Sequence, residues 1–231
     1  MKKGDLRRKA VLETAQQLFL DRGYENTSVQ DILDQMGMSK GGFYHYFESK
    51  QQLLEEICQQ RAESACARGI QAAEAAGADP VARLNALFRE GGFFGEESIK
   101  SMSLMLRAAY GGQMDQLRQR TRRITLEVFE PVLRQILLDG MEGELFYIAH
   151  PDSAARLLIM LAMDVTDEVA FMLAQGQSGQ QDLGRMMELL GAYREAAELM
   201  LNAPHGSLEL LDMVRIAQVL KALGLLTGPG A

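Results

Sequence analysis

Residues 27–50 read TSVQDILDQMGMSKGGFYHYFESK, and the fold turns on how this stretch is punctuated. Thr27 followed by Gln30 fits a capping box, in which a hydroxyl and a side chain three residues on satisfy each other's free backbone N–H groups. Ser49 followed by Gln52 fits a second, and Ser39 is placed to cap a helix between them. Val29, Ile32, Leu33 and Met36 fall at i, i+3, i+4 and i+7, one face of a short helix over 28–36. Gly37 supplies a permissive turn before a second short helix at about 39–46. Two short helices joined by a tight glycine-containing turn make a helix-turn-helix, here spanning about 27–46.

The second helix reads as facing something other than a core. Phe43 and Phe47, four apart, form its inward pair and leave Lys40, Gly41, Gly42, Tyr44, His45 and Tyr46 on or near the outside. Two glycines early in a helix cost roughly 1 kcal/mol each relative to alanine, yet they let a backbone approach a groove or a phosphate closely. Tyrosine hydroxyls can donate to phosphate oxygens, and a histidine can reach a base edge. Lys50, in the first turn of the next helix, combines an ammonium with free N–H groups; Thr27 and Ser28 offer a second anchor at another helix N-terminus. Taken alone, the same string also reads as a buried aromatic cluster beside a glycine loop.

Outward from this stretch the periodicity is helical throughout, and an all-α fold is expected. Residues 5–22 carry Val11, Ala15, Leu18 and Phe19 on one face and end at Gly23. A helix opens at Ser49 and runs to about Arg68; another starts behind Asp79-Pro80 and reaches Arg89. Further helices are expected near 96–109, 113–138, 152–175, 181–202 and 207–224, with Pro131 kinking or dividing the second of these. Short, tightly joined helices followed by long apolar ones predict a three-helix head over 4–64 on a larger helical body over 65–231.

Composition sets the limits. The chain has 231 residues, 47% of them hydrophobic and 24% charged, enough to bury a full core without disulfides or metals. Its formal charge of −7 is uneven: residues 1–50 hold eight Lys/Arg against seven Asp/Glu, and Lys2, Lys3, Arg7, Arg8 and Lys9 crowd the start. A net acidic chain still binds nucleic acid where its basic groups are local, because counterion release depends on the phosphates contacted. No apolar run reaches the roughly 18 residues of a membrane span, and the N-terminal segment turns amphipathic too soon for a secretory signal. Cys58 and Cys66 point about 80° apart on a helical wheel and are too distant to bridge. A cytoplasmic location is expected. Motifs for nucleophilic, zinc-dependent or phosphate-binding catalysis are not found, so an enzyme is the weaker expectation, and no cofactor or metal is called for.

The head resembles the DNA-binding domain of the tetracycline-repressor (TetR) family. The likeness covers about residues 5–60 without a gap: Phe19-Leu-Asp-Arg-Gly23-Tyr24, Thr27-Ser28-Val29, Gly37-Met-Ser-Lys-Gly41, Phe43-Tyr44-His45-Tyr46-Phe47, Ser49-Lys50 and Leu53-Leu54. It implies that Lys40, Gly41, Gly42 and His45 meet bases or adjacent backbone, and that Thr27, Ser28, Tyr44, Tyr46 and Lys50 meet phosphates, with Ser39 at the helix start between them. Gly42 departs from the family, many of whose members carry Thr, Ser or Asn there, so base readout shifts onto Lys40, His45 and Ser28.

For the body the resemblance implies a homodimer, with helices 152–175 and 181–202 of each subunit packing into a four-helix bundle, and a pocket for a small, apolar effector. Their stripes, Ala154 to Met172 and Leu183 to Leu201, read equally well as intrachain core. Met102, Met105, Tyr110, Phe129, Met160, Met163 and Phe171 lie on helices that would surround the pocket, although methionine on a helical face is more often plain core. Asp164, Asp167 and Glu168 form a solvated face, and His150 and His205 sit at helix junctions as surface residues. The resulting expectation is a dimeric repressor released from a palindromic operator by the effector. The alternative is a DNA-binding regulator whose body recruits a protein partner and binds no ligand.

Overall fold

A computed structural model describes residues 3–91, 115–174, 180–211 and residue 214. Among these the secondary structure is helical: α1 (Lys3–Arg22), α2 (Val29–Met36), α3 (Lys40–Tyr44), α4 (Lys50–Ala75), α5 (Pro80–Gly91), α6 (Asp115–Glu142), α7 (Pro151–Ala174) and α8 (Gln180–Leu201). No described helix is long and apolar enough to cross a membrane. The fold is all-α, as expected; the helix expected at 96–109 lies outside the described residues.

Two apolar cores organise these helices. The first joins Val11, Leu12, Ala15, Leu18 and Phe19 of α1 to Ile32 and Leu33 of α2, Phe43 and Phe47 around α3, and Leu53, Leu54 and Ile57 of α4. The second gathers Cys66 and Ala73 of α4 with Leu84 and Leu87 of α5, Leu133, Ile136 and Leu137 of α6, Leu158 of α7 and Leu190 of α8. Helix α4 enters both, and at 26 residues it is about 39 Å long. It runs seven residues beyond the expected end at Arg68, because Gly69 lies inside it at the crossing with α5. Between the head and the body, Arg120 of α6 approaches Glu55 of α4 at 4.0 Å.

Local chemistry accounts for the element ends. Helix α2 stops in a Schellman motif: Gly37, at φ +56°, donates to Asp34 O and Met38 donates to Leu33 O. Only a residue without Cβ adopts that left-handed backbone cheaply. The Asp79 carboxylate accepts the Val81 N–H at 3.0 Å and starts α5 behind Pro80. Pro131 does not divide α6, which continues through it from Asp115 to Glu142. Arg122 reaches Asp164 at 2.7 Å and Asp167 at 3.4 Å, and Arg156 reaches Glu130 at 2.7 Å, tying α6 to α7. Asp164 and Asp167 are thus paired rather than simply solvated.

The helix expected over 207–224 does not start at 207, although Val214, the one residue described beyond 211, is helical. Residues 207–211 have no regular secondary structure and are tied to α5 and α8. Leu208 N–H donates to the buried Glu198 carboxylate at 3.1 Å, Glu209 N–H donates to Asn85 Oδ1 at 2.8 Å, and Leu208 and Leu210 are buried. These partners satisfy backbone donors that a helix would otherwise satisfy internally, so the local helical period loses to tertiary contacts.

Candidate nucleic-acid interface

The three short helices hold one face of α3 outward. Ser39 Oγ accepts the Gly42 N–H at 3.2 Å, which starts α3, and Tyr46 and Phe47 N–H groups both donate to Phe43 O at its end. Phe43 is fully buried and Phe47 nearly so, their ring centroids 5.9 Å apart, with the Arg8 guanidinium 5.0 Å over the Phe47 ring. Arg8 also pairs with Glu56, linking α1 to α4 behind the motif. The inward pair therefore fixes the rotation of a helix of only five residues.

That rotation exposes the expected surface. Lys40, Gly41, Tyr44 and His45 are exposed, and Gly42 and Tyr46 are partly so. Tyr44, 49% exposed, stands edge-on to Phe43 at 5.3 Å, so its ring is steadied while about half of the residue stays open to water. His45 packs edge-on against Tyr46 at 4.9 Å. Above Gly41 there is open space, whereas a Cβ on Gly42 would come within 3.3 Å of Met38 Cγ and Ser39 Oγ. Gly42 is thus fitted to the turn before it, and a side chain at this position would press on the cap of α3. Lys50 Nζ donates to Tyr24 O at 3.0 Å and sits 4.2 Å over the Tyr24 ring. An ammonium has three donors, so this tether orients the charge and leaves donors for an anion.

The second expected anchor differs. Thr27 is fully buried, and its hydroxyl donates to Leu18 O and Gly23 O at 3.3 and 2.8 Å. Its N–H donates to Tyr24 O. Thr27 therefore locks the α1–α2 corner and presents no donor outward. The capping box is built by Ser28 with Asp31, not by Thr27 with Gln30. Ser28 N–H and Oγ both point to the Asp31 carboxylate, and these hydrogen bonds hold the Asp31 carboxyl below its ordinary pKa. The start of α2 already holds an anion of its own chain, so the outward chemistry concentrates on α3 and the start of α4.

Of the residues named for the body pocket, Phe129 and Met163 are buried and Met160 packs partly buried against the same core. Met102, Met105 and Tyr110 lie outside the described residues, as does the side chain of Phe171 on α7. The apolar stripes of α7 and α8 divide. Ala154, Leu158, Val165, Val169, Met186, Leu190, Ala197 and Leu201 are buried within the chain, whereas Leu157, Met187 and Leu199 stay exposed, Leu199 by 82%. His150 is exposed, and the exposed His205 lies 3.3 Å from the buried Glu198. Burial pushes the thiols of Cys58 and Cys66 up to about 11, which leaves neither poised as a nucleophile. Sequence reading passed over Tyr193, whose phenol is buried on the inward face of α8; the spacing 186, 190, 193, 197, 201 contains it.

Known proteins resemble the head in sequence and most of the chain in fold. The family model described as bacterial regulatory proteins, tetR family, matches residues 11–57. The HTH-type transcriptional repressor KstR2 of Mycolicibacterium smegmatis is 45% identical over 51 residues, which are 22% of this chain and 25% of that protein. The chain thus matches about a quarter of that relative's length, and whole-protein properties do not follow from it. A TetR-family transcriptional regulator from Pectobacterium atrosepticum superposes with a TM-score of 0.62 at 20% identity, covering 89% of this chain and 100% of that one. A protein from Saccharomonospora viridis solved in complex with choline superposes with a TM-score of 0.58 at 20% identity, covering 81% of this chain and 95% of that one. At such identities these two establish a shared fold across head and body and nothing finer.

Proposed function

We propose that this chain, whose residues 11–57 match the tetR family of bacterial regulatory proteins, is a dimeric repressor of that family that reads a palindromic operator with its head and releases it when a small apolar molecule enters its body. The observation that carries the reading is the outward face of α3: Lys40, Gly41, Tyr44 and His45 exposed on a helix held by buried Phe43 and Phe47. Lys40 and His45 supply donors for base edges, while Tyr44, Tyr46 and Lys50 supply donors for phosphate oxygens. Gly41 and Gly42 let the backbone come close.

A dimer supports useful affinity for so short a reading helix, because two copies contact half-sites about one helical turn, or a multiple of it, apart. Leu157, Met187 and Leu199, left exposed on α7 and α8, are apolar groups that a second copy would cover. The head comprises residues 4–64 and the body 65–231, with the division inside α4, which enters both cores. A ligand that alters how α4 sits in the body moves the head, and the coupling is reciprocal: operator DNA weakens ligand binding by the same factor.

The test is a gel-shift with the full chain on duplex DNA from upstream of its own reading frame, against scrambled duplex. Wild type is expected to shift the upstream DNA selectively. Lys40→Ala should narrow the gap between the two duplexes, and Tyr44→Phe should weaken both alike. Equal losses on both duplexes for Lys40→Ala would remove its base-reading role, and no selective shift by wild type would count against the whole reading.

A further inference from the structure

We propose that the Tyr193 hydroxyl is the polar recognition group of the body's ligand site, and that the ligand is a neutral, largely apolar molecule bearing a hydrogen-bond acceptor such as a carbonyl or ether oxygen. This rests on the reading of the body as an effector-binding domain and adds the chemical class of the effector.

Tyr193 is 3% exposed and belongs to the same apolar cluster as Phe129, Leu158, Met163 and Leu190. Its hydroxyl has no hydrogen-bond partner among the described residues. Buried tyrosine hydroxyls ordinarily find one, and phenylalanine would fill nearly the same volume without stranding a donor, so the oxygen needs a reason to be there. Burial drives its pKa upward, so the group is a neutral O–H that donates at any physiological pH and never offers a phenolate to a cation.

The surroundings narrow the ligand further. Glu198 is the one buried charged residue among those described. Its Oε1 accepts the Leu208 N–H, and its Oε2, without a hydrogen-bond partner among the described residues, lies 3.3 Å from His205, with the Arg194 charge acting on the same carboxylate. The nearest cation, Arg194, has a buried Nε, but its charge acts on Glu198, so an anionic ligand would compete with that carboxylate for it and lose its own hydration. A neutral acceptor takes the stranded donor and leaves the rest of the contact apolar. Met160 and Met163, in the same core, are flexible enough to repack around a guest.

Two measurements on the full chain test this. The first needs no ligand: Tyr193→Phe should melt at the same temperature as wild type or higher, because the lost hydroxyl has no partner among the described residues. A lower midpoint would mean that the hydroxyl has an internal partner and would overturn the proposal. The second uses prodan, a neutral naphthyl ketone whose emission reddens when its carbonyl accepts a hydrogen bond. Wild type should bind it with reddened emission, and Tyr193→Phe should bind on the order of tenfold more weakly with bluer emission. No binding to wild type, or binding indifferent to Tyr193→Phe, overturns the assignment. Tyr193-dependent binding that leaves operator affinity unchanged would keep the site and defeat the effector reading instead.

Discussion

Gly69→Ala tests how the head is coupled to the body. Gly69 lies inside α4 where that helix crosses α5, and a Cβ there would stand 2.7 Å from Leu87 O, 2.8 Å from Gly91 Cα and 3.0 Å from Gly91 N. All three are backbone atoms and cannot rotate away. Ordinary contact begins near 3.4 Å, so the two helices must part by about 0.7 Å. Forcing a methyl into a packed contact costs about 1–3 kcal/mol. Alanine returns about 0.5–1 kcal/mol of helix stability by restricting the unfolded chain. The balance is a loss of about 1–2 kcal/mol, or a melting midpoint lower by roughly 2–8 °C for a chain of this size. Thermal denaturation followed by circular dichroism reads this directly. Since α4 also carries Leu53, Leu54 and Ile57 of the head, the same variant should alter operator affinity although no DNA-facing residue has changed. An unchanged or higher midpoint would show that the crossing is looser than the geometry requires and would refute the reasoning.

Thr27→Val should destabilise the head by about 1–3 kcal/mol, because it leaves the Leu18 and Gly23 carbonyls without their buried donor. Urea denaturation would show it, with DNA affinity per folded molecule little changed. Glu198 gives a pH signature. Burial acts to raise its pKa, but the Gly206 and Leu208 N–H groups, with His205 and Arg194 nearby, outweigh that and hold the carboxyl below its ordinary 4.5. A depressed folded value means that this stabilisation is fully present above pH 4.5 and is lost as pH falls through the lowered value. The stability gap between wild type and Glu198→Gln should therefore close on acidification, and a gap that widens would reverse the assignment. Cys58 and Cys66, with thiols pushed up to about 11, should react with iodoacetamide at pH 7.5 far more slowly in the folded chain than in urea.

What the sequence made legible follows from the range of the interactions involved. Helix α3 was readable because its determinants are local: Ser39 caps it, Gly37 turns into it, and Phe43 and Phe47 fix its rotation. The start of α2 was misread by one residue. Thr27 with Gln30 and Ser28 with Asp31 are equally good boxes on paper, and only the tertiary bonds of Thr27 to Leu18 and Gly23 decide between them. The segment at 207–211 failed for the same kind of reason, since Glu198 and Asn85 take its N–H groups from elsewhere in the chain. The α7 and α8 stripes were visible, yet their period alone could not separate residues buried within the chain from Leu157, Met187 and Leu199, which remain exposed. Tyr193 is not legible from the sequence because a tyrosine at core spacing looks like any other apolar residue until its hydroxyl is seen to lack a partner among the described residues.

The most direct measurement is amide hydrogen exchange of the full chain with and without a duplex selected from a random pool. Added protection is expected over residues 38–50, at the turn before α3, α3 itself and the first turn of α4, with the start of α2 little affected. Protection confined to α7 and α8, or none in the head when DNA is bound, would contradict it.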